Sequence, residues 1–169
     1  KIDMDTQSFS YVNELMGAIN GQSDTRTVVE NFLAVLRREF VFDNVAAFLQ
    51  DDEAGTLDIV YARAVGRAKN AESDAAWGND IAIQVLAKKQ LLLQDPETIS
   101  NTDDRVHQAY MLGIPLRAGE DVNGALVFVR FGGPAYSEGH ILAASLAAEF
   151  LSVLFERRAW RKLNDELGE

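Results

Sequence analysis

The stretch MLGIPLRAGEDVNGALVFVR, residues 111–130, constrains the fold more than any other part of the chain. Its two apolar runs, LGIPL and ALVFVR, carry the β-branched and aromatic residues that suit a pleated, half-buried surface. The polar segment between them, RAGEDVNG, is too short for the crossover of about a dozen residues or more that parallel strands require. The runs must therefore pair antiparallel, as a hairpin. Asn123-Gly124 readily takes positive φ angles and is the expected reversal. Pro115 has no N–H, so its strand is expected to be interrupted, bulged or at an edge there. Nothing in the stretch serves as a nucleophile or general base at neutral pH, so taken alone it is scaffold.

A second hairpin is predicted upstream. NVAAFLQ, residues 44–50, reads as a central strand, DDEAGT as a turn and LDIVYARAV, residues 57–65, as the return strand. Strict alternation puts Leu57, Ile59, Tyr61, Arg63 and Val65 on one face, with Val60, Ala62 and Ala64 on the other. LLLQD is a further strand, stopped by Pro96. Helical spacing predicts a first helix with Phe9, Val12, Leu15, Met16 and Ile19 on one stripe, ended by Gly21. Asp24 is placed to cap a second helix that buries Val28, Val29, Phe32, Leu33 and Leu36. IAIQVLAKK, residues 81–89, makes a short helix with Asp80 or Asn79 as its cap, and a long helix runs from about Ser137 to Leu167. Segments 66–80 and 95–108 read as loops, with a turn of helix near Ala75 to Trp77. Hairpins mixed with helices make this an α+β chain with an antiparallel sheet flanked by helices. No Gly-rich nucleotide fingerprint follows a strand.

A length of 169 residues suits one domain, 1–169, with residues 1–20 as an N-terminal helix and 155–169 as a C-terminal helical extension. The formal net charge of −10 repels phosphate backbones and anionic lipid, so neither nucleic acid nor membrane is expected as a partner. No apolar run is expected to reach the ~20 residues that cross a bilayer. There is no cysteine, which excludes disulfides, thiolate metal sites, Cys nucleophiles and thioether-linked cofactors. A cytoplasmic setting is expected. Because the chain starts at Lys1 and stops within a helical pattern, it is expected to be part of a longer protein.

Several stretches together resemble a GAF domain, a PAS-related fold. NVAAFLQDDEAGTLDIVYARA resembles the family's first hairpin and IAIQVLAKKQLLLQD its central helix and following strand. MLGIPLRAGEDVNGALVFVRF resembles the strand that ends in Pro-Leu before a polar turn and a Gly, and PAYSEGHILAASLAAEFLSVLFE resembles the closing helix. The likeness runs from about Thr25 to Arg158. It implies a regulatory module of a sensor histidine kinase, cyclase or transcriptional activator. It also implies an antiparallel sheet with long N- and C-terminal helices on one face and a small-molecule pocket on the other, walled by the two loops. Pairing of two subunits through the terminal helices follows from the same likeness. Covalent bilin attachment and methionine sulfoxide reduction use Cys in this family, and none is present. The cyclic-nucleotide motif is not recognisable, since no Lys lies between Gln90 and Arg117. Haem would need His107 or His140 as axial ligand; the polar loop around His107 lacks an apolar slot, and His140, three residues after Ser137, reads as a capping or surface residue.

A ligand pocket needs an apolar cavity with a few convergent polar groups. Tyr61, Arg63, Trp77 and Tyr110 are the candidates to face one, with Phe128 beside them and Arg63 as partner for an anionic or carbonyl group. The alternative is that Tyr61, Trp77 and Phe128 simply fill the core, leaving a structural dimerisation module with a collapsed pocket. Asp103 and Asp104 beside His107, and the acidic turn 51–53, read as solvated turn residues rather than metal ligands. No activated nucleophile or oriented acid and base is found, so no enzyme activity is expected. In the long helix, Leu142, Leu146, Glu149, Val153, Glu156, Trp160, Leu163 and Leu167 follow alternating four- and three-residue steps. This imperfect heptad stripe suits a homodimer, with Leu142, Leu146, Val153, Trp160 and Leu163 as contacts and an output domain joined beyond it. Ala143, Ala147, Phe150 and Leu154 lie on an adjoining face that would pack on the sheet.

Overall fold

The computed structural model describes residues 10–17, 24–39, 41–51, 53–64, 78–96, 109–132 and 134–167, the last of these as backbone only from residue 157 onward. In chain order the elements are α1 (10–17), α2 (Thr25–Leu36), β1 (Asn44–Gln50), β2 (Leu57–Ala64), α3 (Asn79–Lys88), β3 (Leu92–Gln94), β4 (Ala109–Ala118), β5 (Asp121–Phe131) and α4 (Glu138–Leu167). The five strands form one antiparallel sheet in the order β2-β1-β5-β4-β3. Both expected hairpins are present.

The reversal in the second hairpin is not at Asn123-Gly124. It is the two-residue turn Gly119-Glu120, with Gly119 at φ 63°. Asn123 lies where the register shifts between β4 and β5, and Gly124 is inside β5, opposite Leu49 of β1. There it serves close approach, because a Cβ would overlap the Phe48 carbonyl oxygen and stand 2.8 Å from Leu49 Cδ2. Pro115 sits two residues past Gly113, where β3 stops pairing with β4, so it lies on a locally open edge as expected.

Helices α1, α2 and α4 cover one face of the sheet. All five residues predicted for the buried face of α2 are buried, and the Asp24 carboxylate caps the helix by accepting from the Thr27 N–H at 2.8 Å. In α1 the buried positions are Tyr11 and Leu15, whereas Met16 is 45% exposed. The predicted stripe is thus rotated; Phe9 and Ile19 lie outside the described residues. The Tyr11 hydroxyl donates to the Ala143 carbonyl at 2.8 Å, fastening α1 to α4, and Glu14 pairs with Arg38 beyond α2. Burial, with the Glu39 carboxylate adding to it, pushes the Tyr11 hydroxyl well above the ordinary tyrosine value of 10.0. Burial does the same for Tyr136, against the opposing pull of Arg130. A folded-state value raised above the unfolded one contributes stability in full below about pH 10 and loses it as pH rises further. The midpoint of urea unfolding is therefore expected to fall above about pH 10 and to be insensitive to these groups between pH 7 and 9.

Helix α4 packs Ala144, Ala147, Ala148, Leu151 and Leu154 inward, and Phe150 meets Phe32 edge-on with ring centroids 6.4 Å apart. Ala147 and Leu154 are on the sheet-facing side as predicted; Ala143 and Phe150 are only partly buried. The span Glu138–Glu156, of mean hydropathy 1.4, is long and apolar enough to cross a membrane, which corrects the expectation that no run is. Ala144, Ala147, Ala148, Leu151 and Leu154 of this span are buried in the core, while Leu142 and Val153 are exposed. At its N-terminus, Ser137 Oγ accepts from the His140 N–H and His140 Nδ1 accepts from the Ser137 N–H, both at 3.2 Å. This is a capping box with histidine in place of glutamate. Further along, the buried Ser152 hydroxyl donates to Ala148 O at 2.7 Å and accepts the Arg117 N–H at 3.0 Å, tying α4 to β4 beside the register shift opposite Asn123. Replacing Ser152 by Ala strands that N–H, and thermal or urea denaturation is expected to show a loss of about 1–2 kcal/mol.

Candidate functional site

The opposite face of the sheet carries a single described helix, α3, which lies over β5, β4 and β3. Gly113 in β4 makes this fit possible: a Cβ there would stand 2.8 Å from Val85 Cγ2 and 3.2 Å from Ile81 Cγ1. Gly78 caps α3 without a side-chain bond, in place of the predicted Asp80 or Asn79, and a Cβ there would stand 3.4 Å from Val127 Cγ1 and 3.5 Å from the Phe48 ring. The floor on this side is Ala46, Phe48, Ala109, Met111, Ala125, Val127 and Val129, with Ala62, Leu57 and Phe131 at its margin.

Register places the rim. Asn44 pairs with Ala64 and with Val129, Met111 with Val129 and with Gln94, and Ala109 with Phe131. The end of β2, the end of β3 and the start of β4 therefore lie at one end of the sheet. Segments 65–77 and 97–108 both leave from that end; they hold Trp77 and His107, which lie outside the described residues, as does the expected turn of helix at 75–77.

The structure does bring Tyr61, Tyr110 and Phe128 to one face, but it is the face covered by α1, α2 and α4. Phe128 is fully buried there, edge-on to Phe42 with ring centroids 5.1 Å apart, and Arg37 lies over the Phe42 ring. Arg63, exposed, shares that side. Burial raises the Tyr61 hydroxyl, the adjacent Arg63 guanidinium pulls it back, and Glu30 and Arg26 of α2 act on it from the helix layer. These residues therefore cannot line a cavity beneath α3. Along β2 the faces exchange at a register shift between Ala47 and Phe48 of β1: Phe48 pairs with Ile59 but Ala47 with Tyr61, leaving Val60 as a bulge. Leu57 and Ile59 thus turn toward α3, while Tyr61 and Arg63 turn away, so the predicted strict alternation along β2 fails at Val60. Sequence reasoning missed the apolar surface under α3 for a related reason. VAAF in β1 and ALVFV in β5 are apolar at every position, so alternation gives two equivalent faces. Gly113 and Gly124, glycines inside strands, were the available signals of close approach.

On α4, Leu142 and Val153 are 60% and 53% exposed and Glu149 is exposed, whereas Leu146 packs partly on the core. Leu142 and Val153 are three turns apart and fall on nearly the same line of the helix. The side chains of Trp160 and Leu163 are not among those described. Among the described residues no group of three or more His, Asp or Glu is placed to hold a metal ion.

No protein-family model matches the sequence, and no curated protein does. Solved structures do match. The chain is similar to the GAF domain of a phosphoenolpyruvate-protein phosphotransferase from Coxiella burnetii, with a TM-score of 0.68 and 12% identity over 92% of this chain and 96% of that one. It is similar to the GAF domain of a two-component sensor histidine kinase from Bacillus halodurans, with a TM-score of 0.61 and 14% identity over 82% and 98%. The chain has the GAF fold. A free methionine-R-sulfoxide reductase from Neisseria meningitidis is equally similar, with a TM-score of 0.64 and 16% identity over 88% and 89%. Chains of this fold thus occur in a phosphotransferase, in a sensor histidine kinase and as a reductase, so the fold leaves function to the residues of each chain.

Proposed function

We propose that this GAF-fold chain is a sensory module of a cytoplasmic signalling protein, one that binds a small ligand on the α3 side of the sheet and signals through α4. The observation that carries the reading is the inequality of the two faces. One is covered by three helices; among the described residues the other is an apolar floor with one short helix over part of it, and segments 65–77 and 97–108 leave from one end. That is the composition of a ligand site with a supporting layer behind it. Solved GAF domains from a histidine kinase and a phosphotransferase support a regulatory role in place of catalysis. The absence of cysteine from the chain removes thiol chemistry.

Leu142 and Val153 would pair α4 with its copy in a homodimer, and an output domain of kinase, cyclase or activator type would follow α4. Ligand contacts would shift the population between two arrangements of that helix pair, which requires different affinities for the two. A double variant, Leu142→Glu with Val153→Glu, is expected to sediment as a monomer where the parent sediments as a dimer. A monomeric parent at high concentration would remove the pairing half of the proposal. Native mass spectrometry of freshly purified protein tests the other half, a retained small molecule supporting sensing. The second reading, a dimerisation module with a collapsed pocket, is favoured by the complete burial of Ala46, Phe48, Val127 and Val129. It predicts no retained molecule and an unchanged dimer.

A further inference from the structure

Strand β2 is the last strand on its side of the sheet among the described residues, with β1 paired along one edge of it. Its middle is apolar yet open to solvent, Ile59 being 38% and Val60 45% exposed. Asp58 and Arg63, on either side of that middle, are exposed as well, and neither has an ion pair among the described residues. They do not meet within one copy. Their partners on β1 are Leu49 and Val45, four residues and about 13 Å apart along the strand. In a regular strand, residues five apart point to opposite faces. The bulge at Val60 changes that. Asp58, Tyr61 and Arg63 fall on the side of the three helices, where Leu49, Ala47 and Val45 of β1 also lie. Leu57, Ile59 and Ala62 fall on the α3 side.

We propose that the outer edge of β2 is an interaction surface for a second copy of this chain, the two β2 strands lying antiparallel about a two-fold axis between Val60 and Tyr61. In that register Asp58 stands opposite the second copy's Arg63, twice by symmetry, and Ile59 opposite its Ala62. Partners across an antiparallel ladder share a face of the sheet, and with the bulge at Val60 this register alone matches faces at every pair. A slip by one residue sets the α3 side of one strand against the helix side of the other and takes the charges out of line. An edge bulge ordinarily deters pairing; this one deters the other registers. The exposed Asp58–Arg63 contacts select the register more than they add strength. One strand from each copy makes a small, weak contact. It therefore forms at higher concentration than the α4 pairing, by different residues, and links one α4 pair to the next.

The test uses the full chain, whose lack of cysteine makes an introduced thiol unique. Asp58→Cys and Arg63→Cys chains, mixed at high concentration and mildly oxidised, are expected to form a disulfide-linked pair about tenfold faster than either chain alone, since only unlike positions face each other. Charge reversal gives a second readout that needs no oxidation. Asp58→Arg or Arg63→Asp alone sets like charges opposite each other twice, and sedimentation is expected to show self-association through β2 weakened by about tenfold. An equimolar mixture of the two restores it, because each mixed pair again joins opposite charges. The sites are exposed, and circular dichroism confirms folding. In the Leu142→Glu, Val153→Glu background the same cross-link is expected to persist. Equal cross-linking rates in the mixture and in the single chains, or no recovery on mixing the reversed charges, overturns this inference and leaves the α4 pairing and the sensing function standing. Cross-linking that disappears with the α4 substitutions likewise overturns β2 as an interface of its own.

Discussion

Phe128→Ala is expected to destabilise the protein by about 4 kcal/mol, the usual cost of emptying a core phenylalanine site. The residue is fully buried between the sheet and the α1–α2–α4 layer, and its ring meets Phe42 edge-on, so neither side can collapse far into the space left behind. For a domain of this length the melting temperature should fall by about 8–16 °C. The change also separates two roles. Below its melting temperature the variant should bind a probe on the α3 side as the parent does, since Phe128 points to the opposite face. Loss of probe binding in a variant that is still folded would return Phe128 to the ligand site and contradict the two-faced arrangement.

Gly124→Ala should be nearly as costly, by about 3 kcal/mol, for the opposite reason. Nothing is removed; one methyl group is added where β5 runs against β1. The new carbon would overlap the Phe48 carbonyl oxygen, approach Leu49 Cδ2 to 2.8 Å and the Leu49 Cα to 3.3 Å. Side chains can rotate out of the way, but the carbonyl belongs to a strand paired on both edges and cannot yield without opening a ladder. Gly119→Ala is the matched control. Its Cβ would meet nothing within 4 Å, so its cost should be confined to the left-handed φ of 63°, about 1 kcal/mol. Equal losses for the two variants, measured by urea denaturation, would show that the β1–β5 approach at Gly124 is looser than these distances imply.

The sequence and the fold agree wherever a local pattern had a single structural meaning. Turn-linked apolar runs could only be antiparallel hairpins. Asp24 ahead of an apolar stripe could only start a helix, and Val28, Val29, Phe32, Leu33 and Leu36 define one side of it. The candidate site was much less legible. Tyr61, Tyr110 and Phe128 were rightly grouped on one face, yet attached to the wrong layer, and Asn123-Gly124 looked like a turn because that dipeptide so often is one. Gly113 and Gly124 have their meaning only once another strand or helix lies against them.

What the amino-acid order determined by itself was the antiparallel α+β plan, the helix that buries its apolar stripe, the acidic balance and the exclusion of thiol chemistry. The tertiary structure alone decided which face of the sheet meets the terminal helices. The physical reason lies in the central strands. They are apolar on both sides, so period two fixes only that neighbours alternate, and one bulged residue at Val60 is enough to exchange the two faces along β2.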